Sequence, residues 1–162
     1  MGLIAVSYSP PPAHFVATSR TPSAPWRRTD RLVVALAGGL LLVPVAIALC
    51  LPPSPSGLGT HQQLGLPPCT LLDWYGIRCP SCGMTTAWCC LVRGQIVPAL
   101  RANVGGALLG LAAAIGGPWL VVSGVCSRWV GGFPRDGWII AAATLILTLT
   151  LVQWTVRLSL GW

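Results

Sequence analysis

Three stretches of the chain, residues 32–51, 102–125 and 138–156, are apolar almost without interruption. Each is close to the ~20 residues an α-helix needs to cross ~30 Å of hydrocarbon. The pattern predicts an all-α integral membrane protein with about three transmembrane helices. In the first run Gly38, Gly39 and Pro44 predict a kink, and Pro52, Pro53 and Pro55 end the helix. Neighbouring helices re-satisfy backbone groups freed at such positions. The second run is rich in Gly and Ala. Its Gly106 and Gly110 form a G-x-x-x-G pair suited to close helix packing within the chain, and Pro118 predicts a bend. The third run has Trp138 and Trp154 near its ends, where aromatic side chains anchor helices at the membrane surface. Thr144, Thr148 and Thr155 within it return hydroxyl bonds to their own helix.

The polar segments complete the plan. Residues 1–31 are rich in Pro, Ser, Thr and Ala and read as a disordered tail, because they bury too little apolar area to offset ordering. The tail ends in a collar of Trp26, Arg27, Arg28, Asp30 and Arg31. Residues 32–162 form the membrane domain, and residues 52–101 are a Cys-rich loop inside it. The first run is too long, and too far from the start, for a secretory signal core. Ile47-Ala48-Leu49-Cys50 approaches a lipidation site, but Leu49 stands where a small residue is needed.

Composition sharpens the membrane reading. Only 8% of residues are charged, against roughly 25% in an ordinary soluble domain. The mean hydropathy is +0.72. The net charge is +7, and Arg supplies every cation; neither Lys nor Glu occurs. The arginines are dispersed at the edges of apolar runs and form no basic face, which excludes nucleic acid and leaves the lipid bilayer as the partner. A membrane-protein partner stays open, as does the oligomeric state. With the N-terminus inside, Arg20, Arg27, Arg28, Arg31, Arg128 and Arg135 face the cytoplasm, against Arg78, Arg93, Arg101 and Arg157 outside. The bias places the N-terminus in the cytoplasm and the Cys-rich loop outward.

Five of the seven Cys fall in that loop: Cys69, Cys79, Cys82, Cys89 and Cys90. Cys50 and Cys126, at the ends of apolar runs, read as packed small residues. The core is Cys79-Pro80-Ser81-Cys82-Gly83. Two thiols separated by two residues chelate one metal ion or close a small disulfide. A structural site takes four ligands. Cys69 is the candidate third ligand, and Cys89, Cys90, His61 or Asp73 the fourth; the leading set is Cys69, Cys79, Cys82 and Cys89, with zinc as the ion. After the knuckle, residues 84–92 predict a short helix, interfacial or re-entrant, with Cys82, Thr86, Cys89 and Arg93 on one face. Cys82 at its N-terminus is expected to have a lowered thiol pKa. An outward loop permits disulfides, whereas a cytosolic one favours metal or free thiols.

Pro68-Cys69, then Gly76-Ile77-Arg78-Cys79-Pro80-Ser81-Cys82-Gly83-Met84-Thr85, then Gly94, Ala99 and Asn103, resemble the bacterial domain-of-unknown-function 2752 family. Its members are small membrane proteins with a C-P-x-C-G-x-T-R core and an upstream Cys. The resemblance covers roughly residues 65–125. The family's Arg after the Thr is replaced here by Thr86, and Arg93 lies further along the same helical face. The resemblance implies a membrane protein and a genuine motif; it brings no activity with it.

Three functions follow from these features. The first is a membrane protein whose Cys-rich loop is structural, pinned by a metal or a disulfide. The second is a membrane thiol–disulfide oxidoreductase working through Cys79 and Cys82. The third is an accessory subunit of a transporter or other membrane complex. An ion pathway within this chain alone is disfavoured, because the apolar runs hold no ionisable residue. No other catalytic constellation is visible: the carboxylates are Asp30, Asp73 and Asp136, and a Ser/His/Asp reading needs His14 or His61 from irregular segments.

Overall fold

The computed structural model describes residues 26–132 and 136–161. Most of the predicted tail, with Arg20 and His14, lies outside the described residues, as does Arg135. Among the described residues three helices are long and apolar enough to cross a membrane: α1 (Arg28–Cys50), α5 (Val104–Cys126) and α6 (Asp136–Leu160). Between α1 and α5 lie a 3-10 turn (Thr60–Leu64) and three short helices, α2 (Thr70–Tyr75), α3 (Met84–Leu91) and α4 (Ile96–Ala102). No strand occurs among the described residues.

Helix α1 starts before the apolar run does. The Asp30 carboxylate accepts the backbone N–H of Arg27 at 3.0 Å, which satisfies one donor at the helix start. The Arg31 guanidinium donates to the carbonyl of Val125 at 3.3 Å and ties this end to the last turn of α5. Both α1 and α5 continue through their internal prolines, Pro44 and Pro118.

Small residues set the contact between α1 and α5. A Cβ on Gly38 would meet the Gly117 carbonyl at 2.6 Å, and one on Gly124 would meet the Arg31 carbonyl at 2.8 Å. Backbones approach closely there, the means by which helices associate in lipid, where tails compete for every apolar surface. The G-x-x-x-G pair packs within the chain too, but against a short helix: Gly106 faces Met84 and Gly110 faces Trp88 and Leu91 of α3. Helix α6 lies on α5, with Gly105 against Thr150.

The outer faces are greasy. Leu36, Leu40 and Ile140 are 70%, 72% and 65% exposed, and no residue of α6 is buried. Water would leave all this apolar surface hydrated, whereas hydrocarbon removes the penalty. Trp119 and Trp129 stack with ring centroids 5.3 Å apart, and Trp26 meets Trp129 edge-on at 4.9 Å, at the end where α1 begins and α5 finishes. That aromatic cluster suits a bilayer interface.

The Cys-rich loop gathers at the opposite end, over the finish of α1, the start of α5 and the finish of α6. Its centre is α3, which has no exposed residue. Helix α3 packs on α1, α4, α5 and the 3-10 turn, and buries Ala87 and Cys90 against Ala99, Ala102 and Ala107.

Candidate metal centre

Cys79 and Cys82 are carried by the turn before α3, where the N–H of Cys82 donates to the Cys79 carbonyl at 3.0 Å and the N–H of Met84 to Ser81. Gly83 caps α3 with φ +86°, a conformation L side chains rarely adopt. A Cβ there would also press into the Ala102 carbonyl and lie 2.9 Å from the Gly57 carbonyl. The glycine therefore allows the knuckle to sit on the α4–α5 junction.

Cys69 arrives from a separate element, directly before α2. Its sulfur, with those of Cys79 and Cys82, forms a group whose members all lie within 4.8 Å of one another. The Cys79 and Cys82 sulfurs are 3.3 Å apart. Cys69 and Cys79 are partly exposed and Cys82 is buried. The three thiols line a cavity of about 460 Å³ that His61 and Thr85 also border.

The thiols differ in acidity. The N–H of Leu72, in the first turn of α2, favours the Cys69 thiolate and brings its pKa down to about 7, against the opposing effect of burial. Burial pushes the Cys82 thiol up to about 12, with Cys79 and Cys69 adding to the rise. This reverses the expectation of a lowered pKa at Cys82. Gly83 is the residue that caps α3, and desolvation of the enclosed Cys82 sulfur outweighs any help from the helix start. A cation held by these thiols would invert the balance, because a coordinating thiol is deprotonated outright.

Cys89 is not brought to this group. It is fully buried with Ala48 and Leu51, where α3 meets the end of α1. Cys90 belongs to the alanine cluster on the other side of α3. His61 stands beside the cavity, its Nε2 3.1 Å from the Pro67 carbonyl. The helical face through Thr86, Cys89 and Arg93 therefore serves packing. Thr86 and Thr60 share a buried hydroxyl hydrogen bond of 2.8 Å. Arg93 donates to the carbonyls of Ala48 at 3.0 Å and Leu49 at 3.1 Å, which satisfies acceptors left open at the end of α1, and to that of Cys89, in its own preceding turn, at 2.8 Å.

Asn103 was visible in the sequence without a role. Its side chain is buried at the start of α5. There Oδ1 accepts the N–H of Gly106 at 2.7 Å, while Nδ2 donates to the carbonyls of Pro80 at 2.9 Å and Cys82 at 3.2 Å. Asn is a strong N-cap residue, which was the available signal. Only the fold shows the same amide holding the knuckle.

Residues 69–117 match the family model described as Protein of unknown function (DUF2752). The segment is similar to that family, over about a third of the chain. It begins at Cys69, contains the whole thiol group, α3, α4 and Asn103, and ends within α5 at Gly117. No curated protein and no solved structure matches the chain. The matched segment thus holds the three clustered thiols and the asparagine that supports them, while α1 and α6 lie outside it.

Proposed function

We propose that this is a small multi-pass membrane protein whose Cys69, Cys79 and Cys82 bind a zinc-type ion, and that the ion locks the loop layer across the ends of the spanning helices. The carrying observation is the convergence of three sulfurs within 4.8 Å. A disulfide joins two sulfurs at ~2.05 Å and leaves the third unused. A tetrahedral zinc at ~2.3 Å from each thiolate spaces its sulfurs by about 3.8 Å and uses all three. His61 or solvent in the adjoining cavity is the source of a fourth ligand. The ion would join the segment before α2 to the turn before α3, a link that backbone hydrogen bonding does not supply.

The test is to purify the full chain in detergent without chelator and measure metal content and free thiols together. About one zinc per chain with reduced Cys79 and Cys82 is expected, and each of Cys69→Ser, Cys79→Ser and Cys82→Ser should lower the metal content. Metal-free protein with a cycling Cys79–Cys82 disulfide would overturn the proposal. It would support the second reading, a thiol–disulfide oxidoreductase, which the 3.3 Å approach of those two sulfurs favours.

Orientation belongs to the same proposal: N-terminus cytoplasmic, Cys-rich loop outward. Gly65 and Gly131 are exposed at opposite ends. On intact cells a membrane-impermeant maleimide should tag Gly65→Cys and spare Gly131→Cys, above the labelling of the parent chain. The reverse pattern inverts the assignment.

A further inference from the structure

A second cavity, of about 940 Å³, lies on the same end of the molecule. It is bordered by the segment after α1, by α4 and by the last turns of α6. Arg78, Arg101 and Arg157 all line it, and no carboxylate does among the described residues. Asp73 is the one acidic residue at this end of the fold, and it lies outside the cavity lining; Asp30 and Asp136 begin α1 and α6 at the other end.

The three arginines come from distant parts of the chain and are held there. Arg157 donates to the carbonyls of Arg101 at 2.7 Å and Ala102 at 2.9 Å. Trp154, on the preceding turn of α6, donates through Nε1 to the Arg78 carbonyl at 2.7 Å. Gln153 donates to the Leu100 carbonyl and accepts the Val104 N–H at 2.7 Å, fastening α6 to the α4–α5 junction. The guanidinium groups of Arg78 and Arg101 have no hydrogen-bond partner among the described residues. Further donors border the cavity in the side-chain amides of Gln95 and Gln153.

We propose that this cavity binds a phosphate-type anion through Arg78, Arg101 and Arg157. Cations gathered on one cavity with no carboxylate among the described lining residues are a cost to the fold that an anion removes. The planar guanidinium fork matches the oxygens of a phosphate. The position suits such a ligand, since the cavity lies at the ends of spanning helices beside Trp154, where lipid phosphates sit. The headgroup of an anionic phospholipid and free phosphate share this chemistry. The site is a different cavity from the one lined by the thiols, which it adjoins through Arg78 and Thr86.

The full chain in a non-ionic detergent is titrated at constant ionic strength with inorganic phosphate or with dioctanoylphosphatidylglycerol, and unfolding is followed by Trp fluorescence. Variants are Arg78→Gln, Arg101→Gln and the pair; Arg128→Gln at the opposite end is the charge-matched control. A saturable rise in melting temperature is expected, with apparent affinity about tenfold or more weaker in the pair and unchanged in Arg128→Gln. A response to the lipid alone assigns the headgroup, and a response to phosphate alone assigns the free ion; both support the site. No saturable response, or one equally reduced in Arg128→Gln, overturns it. Should Arg101→Gln disturb the loop, Arg78→Gln alone carries the comparison.

Discussion

The Asn103 amide donates to the Pro80 carbonyl at 2.9 Å, so the residue that caps α5 also grips the knuckle that carries two of the clustered thiols. One buried side chain thereby couples the start of a membrane-spanning helix to the geometry of the candidate metal centre. Replacing it by Ala removes the cap on Gly106 and leaves the carbonyls of Pro80 and Cys82 without this donor. Asn103→Ala is expected to lose about 2–4 kcal/mol of stability, from a lost N-cap and unsatisfied buried acceptors. Chemical unfolding in detergent micelles checks this. A loss under about 0.5 kcal/mol would show that the bonds are incidental.

Cys89 separates ligand from packing residue. Its complete burial against Ala48 and Leu51, away from the three clustered sulfurs, predicts that Cys89→Ala keeps the metal stoichiometry of the parent chain. The cost should be about 1 kcal/mol of packing. Loss of metal from this variant, with the fold intact, would return Cys89 to the ligand set.

Thiol reactivity should depend on pH in a specific order once metal is stripped. Thiolate is the reactive form, so alkylation rises as pH passes upward through each pKa. Cys69 should reach half its limiting rate near pH 7, its thiolate favoured by the Leu72 N–H. Cys82, held protonated by burial, should stay slow up to about pH 12. Peptide mapping after timed iodoacetamide pulses reads both positions, and faster labelling of Cys82 than Cys69 at pH 7.5 would contradict the assignment. In the presence of zinc, protection at both positions is expected.

Adjacent glycines in α1 should behave oppositely. A Cβ on Gly38 would meet backbone atoms of α5 at 2.6 and 2.7 Å, whereas one on Gly39 would meet nothing within 4 Å. Gly38→Ala should therefore destabilise by about 1–3 kcal/mol, as overpacking does. Gly39→Ala should be neutral or stabilise by up to about 1 kcal/mol through helix propensity. Unfolding in mixed micelles distinguishes them; equal effects would mean that α1 does not use this face against α5.

Much of the architecture was legible in one dimension. Hydrocarbon imposes a length and a composition on anything that crosses it, so the three spanning helices stand out as uninterrupted apolar runs. The C-x-x-C spacing likewise brings Cys79 and Cys82 together through local turn geometry, and the helix after Gly83 follows from local pattern. What the runs did not show were their ends. Helix α1 begins at Arg28 because Asp30 and Arg31 find partners, and the loop contains α2, α4 and a 3-10 turn too short for periodicity to reveal.

Tertiary structure alone decided which distant residues meet. Cys69 joins the knuckle while Cys89 turns to α1, a choice between thiols that no spacing rule makes, since both are near Cys79 and Cys82 in sequence. Cys82 is enclosed, so desolvation governs its proton where a helix-end argument pointed the other way. Arg78, Arg101 and Arg157 share one cavity only because α6 returns to the loop layer. Local chemistry and solvent act on neighbours along the chain and can be read from order; burial and convergence depend on contacts between segments that order does not encode.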